Sequence, residues 1–195
     1  MTFGSKSTRR QFFAQSAGLA ASLTASAVVL GADGRPAPSN RIQLGVIGTG
    51  NQGFNDMRGF LSDPRVQIVA VCDVNRESPG YWNGAVAGRE PGQRLVEGHY
   101  AADKKSGTYQ GCDAYVDFRE LLGRNDIDAV LIATPDHWHA IPTILAAKAG
   151  KDIYCQKPLS LTIAEGRAMS DAVNKYNRVF QCGSQQRSDK NFRRA

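Results

Sequence analysis

The chain has 195 residues, which fits one domain of ordinary size or one domain plus a fragment, and its 42% hydrophobic and 22% charged content is typical of a globular protein. Its formal net charge of +6 comes from the two ends, because residues 1–32 and residues 187–195 each contribute +3 and residues 33–186 are neutral. This neutral body excludes the clustered basic surface that nucleic-acid-binding proteins use, so we expect no nucleic-acid partner.

Residues 1–32 have the layout of an export signal. Arg9 and Arg10 directly precede an apolar stretch rich in Ala, Ser and Leu, and paired arginines in this position are typical of twin-arginine signals. Interspersed polar residues lower the hydrophobicity of the stretch below that of a typical membrane span. Retention as a membrane tether is the alternative. We therefore expect a periplasmic protein that uses the twin-arginine export machinery, with residues 33–40 as a flexible Gly/Pro linker.

From residue 41 onward, apolar runs alternate with amphipathic segments. The predicted elements, in chain order, are strand 41–47, helix 55–61, strand 66–73, helix 92–105, strand 113–116, helix 117–124, strand 127–134, helix 139–150, strand 151–155, a helix from 162 to about 174, and strand 178–183. Such alternation predicts an α/β fold, a doubly wound parallel sheet covered on both faces. We assign residues 41–186 to one domain of this type.

A glycine-rich motif follows the first predicted strand. Gly48, Gly50 and Gly53 form G-x-G-x-x-G, in which the first permits a tight turn, the second lets the backbone approach a pyrophosphate and the third allows close packing. Asp73 ends the second strand twenty residues after Gly53, where it would accept hydrogen bonds from the adenosine ribose and so favour NAD. Arg76 could instead hold a 2′-phosphate, which leaves NADP open as the alternative.

The stretch "IATPDHWHA", residues 132–140, ends the fourth strand. In a doubly wound sheet this strand lies beside the first, at the topological switch point where ligands bind. His137 and His139 have H-x-H spacing, but no third ligand accompanies them and we predict no metal site. The cysteines are far apart in sequence and predict buried free thiols, not a metal site or a disulfide framework. They are Cys72, Cys112, Cys155 and Cys182.

Five ordered motifs together resemble the Gfo/Idh/MocA oxidoreductases, a family that includes glucose-fructose oxidoreductase and inositol dehydrogenase. They are "GVIGTGNQG", "CDVN", "IATPDHWHA", "DIYCQKPLSLT" and "QCGSQQR", and the resemblance covers about residues 41–190. Members pair an N-terminal Rossmann domain with a C-terminal domain that supplies most of the substrate pocket. The resemblance therefore implies that this chain is the cofactor half, with residues 187–195 as the start of a truncated second domain that is otherwise absent.

The family's motif after the fifth strand is Glu-Lys-Pro, which here reads Gln156-Lys157-Pro158. The resemblance implies that Lys157 is catalytic, hydrogen-bonding the substrate hydroxyl and favouring the alkoxide-like charge that develops as hydride leaves. Pro158 would fix the backbone, with a cis Lys157–Pro158 bond as the expected geometry. Gln156 departs from the family pattern, because its amide can bond a ribose hydroxyl but supplies no negative charge beside the lysine.

The expected cofactor contacts come from the glycine-rich loop and from the ends of the second, fourth and fifth strands. They are Gly48, Thr49, Gly50, Asn51, Gln52, Gly53, Asp73, Arg76, Thr134, Pro135, His139, Gln156 and Lys157. The leading hypothesis is an exported NAD(P)-dependent oxidoreductase acting on a sugar, cyclitol or sugar derivative, with assembly into a homo-oligomer left open. The alternatives are an NAD-dependent glycosidase that oxidises its sugar transiently, and a non-catalytic cofactor-binding fragment.

Overall fold

The computed structural model describes residues 36, 40–103, 107–188 and 191–192, and the chain divides into two units, Met1–Asn40 and Arg41–Ala195. The predicted export signal lies outside the described residues, as does nearly all of the predicted linker. In the described ranges, no helix combines the length and the apolar character needed to cross a membrane.

The second unit contains a six-stranded sheet in the order β3-β2-β1-β4-β5-β6, and every neighbouring pair is parallel. Strands and helices alternate along the chain as β1 (Ile42–Ile47), α1 (Asn51–Leu61), β2 (Val66–Cys72), α2 (Arg89–Asp103), β3 (Asp113–Tyr115), α3 (Phe118–Leu122), β4 (Ala129–Ile132), α4 (Ala140–Lys148), β5 (Asp152–Cys155), α5 (Ile163–Lys175) and β6 (Phe180–Cys182). The predicted doubly wound parallel sheet is confirmed, and its order reverses between β1 and β4.

Both faces of the sheet are covered, which explains why its strands read as apolar runs. Leu131 of β4 joins a buried cluster with residues of α1 and α2. Its neighbours Val130 and Ile132 join a second cluster with residues of α3, α4 and α5. Alternate residues of one strand therefore enter different layers. Burial of each such aliphatic side chain contributes roughly 1.5–3 kcal/mol.

Two helices begin earlier than the sequence predicts. Helix α1 begins at Asn51, whereas the glycine-rich segment before residue 55 reads as a turn because glycine is a poor helix former. Helix α2 begins at Arg89 and carries Pro91 in its first turn, a position that proline tolerates. In both cases tertiary packing overrides the local propensity.

Two helices begin at side-chain caps whose spacing is visible in the sequence. The Asp117 carboxylate accepts a hydrogen bond from the Arg119 backbone N–H at the start of α3. At the start of α5, Thr162 and Glu165 form a reciprocal capping box. These caps satisfy backbone N–H groups that a helix leaves unpaired at its start, and both helices begin at the residue after the predicted one.

Candidate active site

A cavity of about 790 Å³ lies at the carboxyl ends of the strands, at the point where the sheet order reverses. Its volume is within the range typical of small-molecule and cofactor sites. The walls come from the glycine-rich loop and from the segments that follow β2, β3 and β4. Lining residues include Gly48, Gly50, Asn51, Asp73, Val74, Asn75, Tyr81, Val116, Asp117, Phe118, Arg119, Ala133, Thr134, Pro135, His137 and Trp138.

Six of the predicted cofactor contacts line this cavity, and the structure places the others elsewhere. The lining members are Gly48, Gly50, Asn51, Asp73, Thr134 and Pro135. Thr49 is buried, and Gly53 packs against the Gly48 carbonyl oxygen. The Gln52 amide donates to Asp56, one turn further along α1. Arg76, His139, Gln156 and Lys157 lie outside the cavity lining.

The glycine-rich loop has the backbone geometry that a pyrophosphate requires. Gly48 has φ of +95°, and a Cβ there would lie 2.7 Å from the Ala133 carbonyl carbon. A Cβ on Gly53 would overlap the Gly48 carbonyl oxygen, so this glycine lets α1 pack directly on the turn. Gly50 is the N-cap of α1 and has no side chain to cap it, which leaves first-turn N–H groups facing the cavity. The loop therefore fits the phosphates of a dinucleotide.

Asp73 connects the end of β2 to this loop. Its Oδ2 accepts hydrogen bonds from the Thr49 backbone N–H at 2.8 Å and from the Thr49 hydroxyl at 3.1 Å. Its Oδ1 accepts from the Asn75 N–H at 2.9 Å. A carboxylate offers about four acceptor positions, so capacity is left for a ribose hydroxyl in the cavity that Asp73 lines.

Arg76 does not line the cavity as predicted. Its Nε donates to the Glu90 carboxylate at 2.6 Å, while the side chain stays 73% exposed. The guanidinium is therefore turned toward helix α2 and paired with an acid, which argues against its holding a 2′-phosphate and favours NAD over NADP.

His139 is also placed differently from the prediction. Its ring is buried, with Nδ1 at 2.6 Å from the Pro158 carbonyl oxygen and Nε2 at 2.8 Å from the Thr134 carbonyl oxygen. The ring therefore lies between two loops, with one carbonyl oxygen at hydrogen-bond distance from each nitrogen, and it is outside the cavity lining. His137 is exposed beside Asp136, and within the described ranges no three His, Cys, Asp or Glu side chains are grouped to hold a metal ion.

Residues 75–88 fold over the glycine-rich loop, which the sequence did not indicate. The Tyr81 ring lies beside Gly50, where an added Cβ would be 3.5 Å from Cε1, and the Trp82 N–H donates to Asn51 Oδ1 at 2.8 Å. The Asn75 amide holds the segment together through bonds to Ser78, Tyr81 and Ala87. The asparagines, the proline and the glycines of this stretch predicted turns, and nothing in the local pattern showed what the turns would cover.

The fifth strand ends in a buried amide and an exposed amine. Gln156 is 3% exposed, and its Nε2 donates to Asp56 Oδ2 at 2.7 Å. This amide is therefore directed at helix α1 and not at a ribose hydroxyl. Lys157 is exposed at the same carboxyl edge as the cavity but is not among the residues that line it. The Lys157–Pro158 bond is cis, as predicted.

Asp56 is a site residue that sequence reasoning missed. It lies on α1, one turn after Gln52, whose amide donates to Asp56 Oδ1 at 2.8 Å. Burial raises the pKa of the Asp56 carboxyl above its ordinary value, and the hydrogen bonds from Gln156 and Gln52 and the charge of Lys157 oppose that rise. The i, i+4 spacing with Gln52 was readable in the sequence, but the contact with Gln156 spans one hundred residues.

The cysteines carry no chemistry at this site. All four are free, and three are buried. Burial raises the pKa of Cys72, Cys112 and Cys155 to about 12, so each stays a protonated thiol at neutral pH.

Comparison with known proteins agrees with the geometry. Residues 92–184 match the model of the oxidoreductase family with an NAD-binding Rossmann fold, GFO_IDH_MocA. These residues therefore belong to the NAD-binding Rossmann domain of the Gfo/Idh/MocA oxidoreductases. The domain is 34% identical over 136 residues to an α-N-acetylgalactosaminidase from Shewanella oneidensis, a match that covers 69% of this chain and 26% of that protein.

Solved structures show the same Rossmann domain. A probable dehydrogenase from Thermotoga maritima is 28% identical with a TM-score of 0.58, covering 78% of this chain and 39% of that one. The fold is shared with a scyllo-inositol dehydrogenase from Lactobacillus casei solved with NAD(H) and scyllo-inositol, at 23% identity, a TM-score of 0.57, and coverage of 79% and 39%. The chain thus spans about a quarter of the curated relative and two fifths of these structures.

The role of Asp73 in a Gfo/Idh/MocA Rossmann domain leads to a test of cofactor choice. We expect Asp73→Ala to weaken NAD binding by about 10–100-fold, the size of a lost hydrogen bond to a charged group. NADP binding should fall less, because removing the carboxylate also removes its repulsion of the 2′-phosphate. Titration of the protein with each cofactor measures both effects.

The matched control for Asp73→Ala is Thr49→Val. This change removes the hydroxyl that bonds Asp73 but keeps both the carboxylate and the Thr49 backbone N–H. It should affect NAD and NADP equally. An equal loss of both cofactors in Asp73→Ala would contradict the ribose assignment and leave Asp73 with a role in loop structure alone.

Proposed function

We propose that this chain supplies the cofactor half of an NAD(P)-dependent oxidoreductase that moves hydride to or from a secondary alcohol carbon of a sugar, cyclitol or sugar derivative. One observation carries the proposal. The dinucleotide loop after β1 and Lys157 after β5 lie at the same carboxyl edge, on strands separated only by β4. A nucleotide held by the loop and a substrate oxygen held by the lysine would meet at that edge.

Each group at the edge has a distinct task in this proposal. The first-turn N–H groups of α1 hold the phosphates, and Asp73 orients the adenosine ribose. NAD, when bound, supplies the hydride acceptor. The Lys157 amine takes the proton of the substrate hydroxyl as the carbon loses hydride, and the ammonium so formed stabilises the negative charge that develops on the oxygen. Its exposure at the end of β5 leaves the amine accessible to a substrate.

A second candidate is an NAD-dependent glycosidase. The observation that favours it is the similarity to the α-N-acetylgalactosaminidase, together with Shewanella relatives named glycosyl hydrolase family 109 proteins at 30–33% identity. In this reaction the sugar would be oxidised, the aglycone eliminated, and the sugar reduced again with the same NAD. Lys157 would serve the oxidation and the final reduction in the same way, so the two candidates share their first step.

Parallel assays of NADH formation and aglycone release test the two candidates. The 195-residue chain and the longest form of the protein that its gene encodes are each given NAD with free sugars and cyclitols, or with nitrophenyl glycosides. NADH that accumulates with a free sugar or cyclitol supports the oxidoreductase. NAD-dependent release of nitrophenol without net NADH supports the glycosidase. NAD binding with neither reaction, in both forms, would contradict both and leave a cofactor-binding module.

A further inference from the structure

Gln156 is a buried amide that is hydrogen-bonded at both ends. Its Nε2 donates to Asp56 Oδ2 at 2.7 Å, and its Oε1 accepts from the Lys157 backbone N–H at 3.2 Å. A carboxylate can only accept and a backbone N–H can only donate, so one orientation of the amide satisfies both partners. Gln156 therefore transmits a contact from helix α1 to the backbone of the lysine.

The end of β6 keeps this amide in place. Gly183 donates its backbone N–H to the Cys155 carbonyl oxygen at 2.8 Å, which brings the glycine against the Gln156 side chain. A Cβ on Gly183 would lie 2.8 Å from Gln156 Oε1 and 3.0 Å from its Cδ. The amide thus fills a space that exists only because residue 183 is glycine.

Asp56 brings a negative charge to the other end of the amide. Both of its oxygens accept hydrogen bonds from side-chain amides, Oδ1 from Gln52 and Oδ2 from Gln156. Burial raises the pKa of its carboxyl, while the hydrogen bonds from Gln156 and Gln52 and, last, the charge of Lys157 lower it. This half-buried carboxylate is linked through the Gln156 amide to the backbone N–H of the predicted catalytic lysine.

We propose that Asp56 is a positioning residue for Lys157. Its carboxylate polarises the Gln156 amide, which then holds the Lys157 backbone more firmly. Asp56 thereby acts, from helix α1 and through Gln156, on the backbone that carries the amine. This inference rests on the proposed function, in which Lys157 contacts the substrate oxygen.

A relocation of the charge tests the proposal. Asp56→Asn should lower kcat by about tenfold and leave the NAD dissociation constant unchanged. Its melting temperature should hold or rise, because the buried charge is gone and Gln52 can rotate its amide to keep its bond. The double variant Asp56→Asn with Gln156→Glu should recover most of kcat, since the asparagine amide now donates to a carboxylate on β5.

A chemical readout without cofactor accompanies these rates. In the apoprotein, an amine-selective reagent at fixed pH should modify Lys157 several-fold faster in Asp56→Asn, because the backbone that carries the amine is held less firmly. The double variant should return to the wild-type rate. Lys148, exposed at the last residue of α4, serves as the internal control and should react equally in all forms.

The outcomes separate this inference from the proposed function. Unchanged kcat and unchanged labelling of Lys157 in Asp56→Asn would overturn the positioning role. A folded double variant that stays as slow as Asp56→Asn would also overturn it, because the charge would then not be what matters. An active Lys157→Ala enzyme would instead contradict the proposed function itself, whatever Asp56 does.

Discussion

Lys157→Ala is expected to lower kcat by about 10²–10⁴-fold, the usual contribution of a positioned proton-transfer group, and to leave NAD affinity nearly unchanged. The lysine side chain is exposed and lies outside the cavity lining, so its loss removes no core packing and no wall of the nucleotide site. Steady-state kinetics with the active sugar or glycoside, combined with NAD titration, measures the two effects separately.

Two further lysine variants sharpen the test of Lys157. Lys157→Arg keeps the positive charge but cannot release a proton at neutral pH, so it distinguishes electrostatic stabilisation from proton transfer. Lys148→Ala removes an equally exposed amine at the end of α4 and should leave turnover at the wild-type value. An unaltered rate in Lys157→Ala would remove the lysine from the mechanism.

Gly53→Ala is expected to abolish NAD binding and to destabilise the fold, while the same substitution at Gly59 should do neither. The added Cβ at Gly53 would overlap the Gly48 carbonyl oxygen and push α1 away from the loop, at a cost of about 1–3 kcal/mol or more. Gly59 lies in the same helix with nothing within 4 Å of an added Cβ. There alanine should stabilise the protein by about 0.5–1 kcal/mol through its helix propensity.

Urea denaturation and NAD titration of the two glycine variants measure this contrast. The two changes add the same methyl group to the same helix. Opposite signs of their effects on the free energy of unfolding therefore separate the contact with the loop from helix propensity. Normal NAD binding by Gly53→Ala would show that the close approach of α1 to the turn is not needed for the nucleotide site.

Local patterns predicted the fold because each one reports a local physical requirement. The apolar run at β4 reflects burial on both faces, since Leu131 faces one cluster while Val130 and Ile132 face the other. Capping spacings at Asp117 and Thr162 reflect the unpaired N–H groups of a helix start. A parallel sheet in which strands alternate with helices allows few topologies. The observed strand order could therefore be predicted before any contact was known.

The site was less predictable because its decisive contacts join residues that are distant in sequence. The sequence suggests Arg76 as a phosphate ligand, but in the structure it pairs with Glu90. His139 was predicted to contact the cofactor, but each of its ring nitrogens lies beside a backbone carbonyl oxygen. Tyr81 lies in a segment whose pattern predicted only turns. In each case a partner elsewhere in the fold decides which way the side chain points.

The sequence by itself determined the parallel sheet, the dinucleotide loop with Asp73, and the position of Lys157 after the fifth strand. Those features follow from periodicity, glycine spacing and strand order, whereas the cis Lys157–Pro158 bond was implied by the family resemblance. Only the tertiary structure decided that Gln156 turns away from the cavity to meet Asp56. A half-buried carboxylate must be hydrogen-bonded where it lies, and which amide reaches it depends on how α1 packs against the sheet.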